Sequence, residues 1–161
     1  MNRSKRSARG YTLVELLVVL AVLGLLAAVA MPLAEVTVQR EKERELKRAL
    51  WEIRDAIDAY QHARLAGMLP GVGDISPYPA SLDVLTEAQP DGRPDHQGEI
   101  LRFLRRVPRD PFADPSLPAD KSWGLRSYES DADRPKPGTN VYDVYSLSPG
   151  EGLNGVPLTQ W

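Results

Sequence analysis

Residues 10–34 read GYTLVELLVVLAVLGLLAAVAMPLA, and this stretch decides the fold. Its one charged residue is Glu15, and nineteen uncharged, mostly apolar residues follow from Leu16 to Ala34. As a helix, residues 11–34 extend about 36 Å, which is enough to cross a hydrocarbon layer of about 30 Å. We therefore predict a membrane-spanning helix over residues 11–34.

The ten residues before this stretch are basic. They carry no acidic residue and four basic ones, which are Arg3, Lys5, Arg6 and Arg9. A basic flank favours the cytoplasmic side, so we expect the N-terminus in the cytoplasm and the chain after residue 34 outside it. The whole chain has 20 Lys and Arg against 22 Asp and Glu, and without residues 1–10 the balance is 16 against 22. This acidic balance predicts no nucleic-acid partner.

Two general interpretations of this N-terminus leave something unexplained. Ala28-Val29-Ala30 has the small-residue pattern of a secretory cleavage site, but the apolar run is longer than in ordinary signals and has Glu15 inside its start. An uncleaved anchor accounts for the length. It leaves Glu15 as an uncompensated charge, which costs about 2.5–3.5 kcal/mol at the centre of a membrane.

The third interpretation accounts for the glutamate. Gly10-Tyr11-Thr12-Leu13-Val14-Glu15, after a basic leader and before an apolar helix, resembles the class III signal of type IV pilins and pseudopilins. The resemblance implies that a prepilin peptidase cuts between Gly10 and Tyr11 and methylates the new amine of Tyr11, which stands where the family usually has Phe. It also implies that Glu15 meets the N-terminal amine of a neighbouring subunit during assembly.

The helix is predicted to continue beyond the membrane segment. Pro32 lacks an N–H group and clashes with the preceding turn, which predicts a kink near this residue. An apolar face then recurs at helical spacing through Leu46, Leu50, Ile53, Ile57 and Tyr60. Residues 41–48 read EKERELKR, with the possible pairs Glu41–Arg44, Glu43–Lys47 and Glu45–Arg48 on a solvated face. We predict one helix from Tyr11 to Ala66, whose half over residues 35–67 is amphipathic.

Residues 68–161 form the predicted C-terminal domain, where 13 of the 14 prolines and 9 of the 12 glycines fall. The sequence predicts four short elements here: a Ser81-capped turn over 80–85, a short helix or turn over 99–107, and strands over 125–128 and 141–147. A hairpin loop over 129–140 joins the two strands. The predicted fold class is α+β: a type IV pilin-like long helix, kinked near Pro32 and packed on a small, loop-rich, antiparallel β domain.

Three further segments resemble the major pseudopilin of type II secretion systems: Tyr78-Pro79, Val107-Pro108-Arg109-Asp110-Pro111-Phe112 and Tyr142-Asp143-Val144-Tyr145-Ser146-Leu147. The resemblance implies a structural subunit and not an enzyme, in a periplasmic filament that drives protein secretion. Implied partners are copies of the chain, other pseudopilins, the prepilin peptidase and the inner-membrane assembly platform. The implied location is the bacterial inner membrane, single-pass, with the C-terminal domain in the periplasm.

Other functions stay open at this point. Within the filament class, the chain fits a type IV pilin, a competence pilin or a minor pseudopilin. From another class, it fits a monomeric, membrane-anchored periplasmic binding module. The sequence has no cysteine and no recognisable catalytic constellation. Gly150–Gly155 matches G-x-G-x-x-G, but too few residues follow to form a nucleotide-binding βαβ unit, which predicts a loop.

Calcium is the cofactor that the resemblance leaves open. Major pseudopilins generally bind calcium in an acidic loop after the last strand, but residues 146–161 read SLSPGEGLNGVPLTQW. The weak candidates for ligands are Asp143, Glu151 and Asn154, with Asp131 and Asp133 in the hairpin loop as others. Calcium takes six to eight oxygen ligands, which this set does not readily supply. We expect Trp161 to be packed against the domain, with or without a metal.

Overall fold

The computed structural model describes residues 11–69 and 76–161, except for the side chains of residues 29–32. It forms two compact units, which divide between Gln39 and Arg40. The first unit is the apolar part of the helix. The second contains the rest of the helix and the domain that packs on it.

One helix, α1, runs over Leu13–Leu65, which confirms the predicted long helix. It ends in a Schellman motif, in which the Gly67 N–H donates to the Arg64 carbonyl at 3.1 Å and the Met68 N–H donates to the Ala63 carbonyl at 2.9 Å. Gly67 has a φ of 70°, a left-handed conformation that glycine adopts without a steric penalty. The glycine therefore stops the helix where the sequence predicts.

The predicted apolar face of α1 is the centre of the core. Leu46, Leu50, Ile53 and Ile57 are at most 2% exposed. They pack with side chains from the whole C-terminal domain, which are Leu82, Leu85, Leu104, Trp123, Val141, Val144 and Leu158. Tyr60 lies at the edge of this cluster, where its ring contacts Phe103 edge-on at a centroid distance of 5.3 Å. Burial of this face fixes the domain on the helix.

Two antiparallel strand pairs complete the α+β fold. Strands β1 (Gln89–Pro90) and β2 (Ile100–Leu101) form a short pair. Strands β3 (Trp123–Arg126) and β4 (Asp143–Ser146) form the longer pair, in which Leu125 lies opposite Val144. The two predicted strands are therefore confirmed, each with shifted ends, and the connection between them contains the predicted hairpin loop.

Two local predictions are wrong. A one-turn 3₁₀ helix forms at Asp83–Leu85, but its cap residue is Leu82 and no side chain caps it, so Ser81 does not have the predicted role. Residues 99–107 do not form a helix. Ile100 and Leu101 enter strand β2 instead, and the N–H groups of Phe103 and Leu104 donate to the carbonyl of Leu85. The segment after Leu101 has no regular secondary structure, and its Leu104 side chain is buried in the core.

A buried polar cluster joins the segments that carried the second resemblance. Asp110 is fully buried, and its carboxylate accepts hydrogen bonds from the Ser146 hydroxyl at 2.6 Å and the Phe112 N–H at 2.8 Å. The Asp110 N–H donates to the Ser122 hydroxyl at 3.1 Å. The Trp123 indole donates to the carbonyl of Pro108 at 2.8 Å. Residues 108–112 are thus anchored to both strands of the longer pair.

Candidate functional site

The start of α1 brings Thr12 and Glu15 together. Thr12 precedes the first helical residue, Leu13, and its hydroxyl accepts a hydrogen bond of 3.2 Å from the Glu15 N–H. This contact satisfies one of the free N–H groups at a helix start. Glu15 lies in the first turn, where a carboxylate is favoured by the partial positive charge of the helix terminus. The Thr-x-x-Glu spacing is that of a capping box, a signal in the sequence that our prediction did not use.

The predicted cleavage position lies immediately before this cap. Tyr11 is 75% exposed and precedes the helix. Gly10, the other residue of the predicted cut, lies outside the described residues. Cleavage between Gly10 and Tyr11 stays a prediction, as does methylation of the Tyr11 amine.

The first part of α1 exposes apolar side chains in the described part of the chain. The large apolar residues from Leu13 to Leu26 are each 48–75% exposed, although they lie all around the helix. An exposed apolar surface of this extent marks a site of protein or membrane contact. By length and composition, α1 contains a segment able to cross a membrane.

Pro32 lies within α1, which is helical on both sides of it. The structure does not describe the side chain of Pro32 or those of residues 29–31. The predicted kink therefore stays a prediction.

Residues 5–31 match the family model described as "Prokaryotic N-terminal methylation motif". The chain carries a type IV pilin-like prepilin signal. The match includes residues 5–10 of the basic leader, the predicted cut, Glu15 and most of the apolar segment. No curated protein and no solved structure matches the chain.

The motif indicates a protein of the type IV pilin-like or pseudopilin class. Proteins of this class are structural subunits and not enzymes. The signal implies peptidase processing, membrane association and assembly into filaments. The apolar start of α1 fits a membrane anchor of this kind.

The three calcium candidates lie in β4 and in the loop that follows it. Asp143 lies in β4, where its carboxylate accepts a hydrogen bond of 2.7 Å from the Arg54 guanidinium. Glu151 lies in the following loop, in an isolated bridge with Pro157. The side-chain oxygen of Asn154 accepts a hydrogen bond of 3.1 Å from the Val156 N–H. Asp143 and Asn154 thus already use side-chain oxygens as hydrogen-bond acceptors within the protein.

A different group of potential ligands lies beside the short strand pair, namely Asp91, His96 and Glu99, whose ligand atoms lie within 4.8 Å of one another. The Asp91 side chain is fully buried and forms an ion pair of 2.6 Å with Arg93. Hydrogen bonding from Arg93 lowers the pKa of Asp91 to about 2. The His96 ring contacts Glu99 at 3.0 Å. These contacts fix the turn, and Arg93 neutralises the charge of Asp91.

The segment Gly150–Gly155 is a loop, as the sequence predicts. The Gly155 N–H donates to the Gly152 carbonyl at 2.8 Å, and Gly155 has a φ of 75°. The element that follows is a one-turn 3₁₀ helix, Leu158–Gln160, which is too short to bind a phosphate at its start. The glycine pattern therefore serves a turn.

Proposed function

We propose that the chain is a structural subunit of the periplasmic pseudopilus of a type II secretion system, where its polymerisation drives export of folded proteins across the outer membrane. The observation that carries this proposal is the methylation motif at residues 5–31, at the start of a helix whose large apolar side chains from Leu13 to Leu26 are all exposed in the described part of the chain. A monomeric periplasmic module needs an anchor but has no need for Glu15 inside it.

The proposed mechanism begins in the inner membrane. The basic residues 1–10 stay in the cytoplasm, residues 11–34 cross the membrane, and the C-terminal domain lies in the periplasm. The prepilin peptidase then cuts between Gly10 and Tyr11 and methylates the amine of Tyr11. The assembly platform in the inner membrane receives the processed subunit together with other pseudopilins.

Assembly moves the apolar helix from lipid into the filament centre. Contact with neighbouring apolar helices replaces contact with acyl chains, so the transfer changes the hydrophobic free energy little. A charge in this setting needs a partner, and the amine of a neighbouring Tyr11 supplies one for Glu15. Head-to-tail contacts of this kind do not close on themselves and therefore generate a filament.

The choice of machine rests on the C-terminal domain. The two segments that resemble the major pseudopilin, around Asp110 and Ser146, are joined by a buried hydrogen bond. This link supports the proposal because it joins the two segments that carry the resemblance in one buried contact. A type IV or competence pilin and a minor pseudopilin share the same N-terminal chemistry and stay the alternatives.

The mass of the N-terminal peptide, from protein purified from its native membrane, tests the class. The expected result is a chain that starts at N-methylated Tyr11. A chain that still starts at Met1, in cells with an active prepilin peptidase, would favour the anchored module. A chain that starts at Met31 would identify Ala28-Val29-Ala30 as a secretory cleavage site and exclude the filament.

Deletion of the gene for this chain in its native cell tests whether the chain belongs to a secretion system or to a pilus. The proposal predicts that proteins normally released to the medium accumulate in the periplasm, while surface pili, twitching and DNA uptake are unchanged. Loss of pili or of DNA uptake with normal secretion would assign the chain to a pilus instead. Complementation with the intact gene is the control.

A further inference from the structure

The last segment of the chain, residues 147–161, is held on α1 by charged side chains. Three residues of one helix face contact this segment or the strand before it: Glu43, Lys47 and Arg54. Their spacings of four and seven residues place them on one line along the helix. The segment stands where the resemblance of the chain to major pseudopilins implies a calcium-binding loop.

Arg54 is the centre of these contacts. Its Nε donates to the Asp143 carboxylate at 2.7 Å, and its Nη2 donates to the carbonyl of Val144 at 3.1 Å and to the main-chain oxygen of Trp161 at 2.9 Å. One guanidinium thus joins α1, strand β4 and residue 161. Charge-assisted hydrogen bonds of this kind are stronger than neutral ones.

Glu43 and Lys47 hold the segment at two further points. The buried Glu43 carboxylate accepts a hydrogen bond of 2.7 Å from the Leu153 N–H. The Lys47 ammonium lies over the Trp161 ring at 4.4 Å from its centroid, a cation–π contact. The Trp161 indole donates to the carbonyl of Val156 at 3.3 Å. The ring therefore fastens the loop to the helix, which confirms the prediction that Trp161 is packed.

The charges around Asp143 oppose a bound cation. Arg54 occupies one carboxylate oxygen, and the Arg126 guanidinium lies 4.0 Å from the other. A calcium ion bound to Asp143 would face two positive charges and would displace a short ion pair. Asn154 uses its side-chain oxygen within its own turn. The residues present do not fit the six to eight oxygen ligands that calcium takes.

We propose that Glu43, Lys47 and Arg54 fasten residues 147–161 to the helix and that this segment folds without calcium. The Arg54 guanidinium supplies, at the start of β4, a positive charge beside Asp143 in place of a metal ion. The proposal concerns folding of the C-terminal unit, so it holds or fails independently of the filament proposal.

The first test is the effect of calcium on the melting temperature of the full chain in detergent micelles. Calcium in millimolar concentration should leave the melting temperature within about 1 °C of that in excess EDTA. A ligand at a hundred times its Kd would raise it by about 5 °C or more. A rise of that size would overturn the proposal.

The second test measures cleavage by chymotrypsin within residues 147–161, with fragments identified by mass. Arg54→Ala should accelerate cleavage about tenfold, because the segment then opens more often. Arg48→Ala is the matched control, since Arg48 is an exposed arginine on the same helix. Equal cleavage of the two variants would overturn the fastening role of Arg54.

A third variant keeps the proposal testable if Arg54→Ala does not fold. Lys47→Met removes only the cation over the Trp161 ring and keeps an apolar stem of similar length. It should accelerate cleavage of the same segment by about threefold, in line with the loss of a partly exposed cation–π contact. No acceleration in this variant would contradict the proposal.

Discussion

The Ser146 hydroxyl donates a hydrogen bond of 2.6 Å to the Asp110 carboxylate, and both residues are fully buried although 36 positions separate them in the chain. No cation lies among the described partners of Asp110, which are hydroxyl and N–H groups. A buried carboxylate is tolerated when such donors replace its hydration. The link therefore holds residues 108–112 against strand β4.

Asp110→Ala should lower the free energy of unfolding by about 2–4 kcal/mol. The variant leaves the Ser146 hydroxyl and the Phe112 N–H without an acceptor, and each unsatisfied buried group costs about 1–3 kcal/mol. Denaturant unfolding of the full chain in detergent micelles measures the change. Because both substitutions break the same bond, the double variant with Ser146→Ala should cost less than the sum of the two single variants.

Asp114→Ala is the matched control for this experiment. Asp114 lies in the same loop region, is exposed, and accepts a hydrogen bond of 2.8 Å from the Ser116 N–H. Its loss should cost no more than about 1 kcal/mol. Equal costs for Asp110→Ala and Asp114→Ala would show that the buried link does not stabilise the fold.

The stability of the fold should fall in acid partly through Asp91. Hydrogen bonding from Arg93 lowers the Asp91 pKa from 3.8 to about 2 in the folded chain. Because the folded pKa lies below the unfolded one, this carboxylate stabilises the fold above the unfolded pKa, and its contribution is lost as the pH falls towards the folded pKa. Arg93→Ala removes the cause of the shift, so the difference in stability between wild type and variant should shrink as the pH is lowered from about 5 to 2.

Two measurements check this prediction. Unfolding experiments over that pH range give the difference in stability, and carboxyl-carbon NMR gives the pKa of Asp91, which should rise in Arg93→Ala. Arg102→Ala, at an exposed arginine, is the control and should leave the pKa unchanged. A difference in stability that is constant with pH would rule out the assigned coupling. Glu129 and Asp114 also have lowered pKa values, through hydrogen bonds of their own, and are present in both proteins.

Gly152→Ala should destabilise the final loop. A Cβ atom at residue 152 would lie 2.3 Å from Cζ2 of Trp161 and 2.7 Å from the side-chain oxygen of Asn154. Because the Trp161 ring is itself held by Lys47, the clash should cost about 1–3 kcal/mol in the free energy of unfolding. Gly150→Ala is the control in the same loop, since its nearest atoms would lie at 3.5 Å and 3.6 Å. A cost that is the same at both positions would contradict the close packing of Trp161 on residue 152.

Local patterns in the sequence were sufficient for the helix and the longer strand pair. Leu46, Leu50, Ile53 and Ile57 recur at helical spacing, and all four are buried as predicted. In β4, Val144 and Ser146 are buried and alternate with half-buried neighbours, as the period of a strand requires. These predictions succeed because each depends on residues only a few positions apart.

The hydrogen bonds and ion pairs between distant parts of the chain could not be predicted from local patterns. Arg54 and Asp143 are 89 positions apart, and the hydrogen bond between Leu153 and Glu43 joins residues 110 positions apart. The charged run 41–48 predicts a solvated face, yet Glu43 is buried and Lys47 lies over the Trp161 ring. The ion pair Glu41–Arg44, at 3.4 Å, forms as predicted because both residues lie on one helix. Strands β1 and β2 were missed because two residues each are too few to show a period.

Glu15→Ala should permit membrane insertion and cleavage of the leader but prevent assembly. Removing the only charge from the apolar segment makes insertion easier, whereas the amine of a neighbouring Tyr11 then loses its proposed partner. Loss of one partner of a buried ion pair costs about 3–5 kcal/mol, so filament yield and secretion should fall about a hundredfold or more.

Glu35→Ala is the matched control, because Glu35 is an exposed glutamate on the same helix, beyond the apolar segment, and its loss should leave both quantities unchanged. Subunit in the membrane fraction, N-terminal mass and sheared filaments are measured in parallel. If the Glu15→Ala subunit is processed and inserted but still assembles and secretes normally, Glu15 has no role in assembly. Equal defects in Glu15→Ala and Glu35→Ala would instead attribute the loss to the helix as a whole.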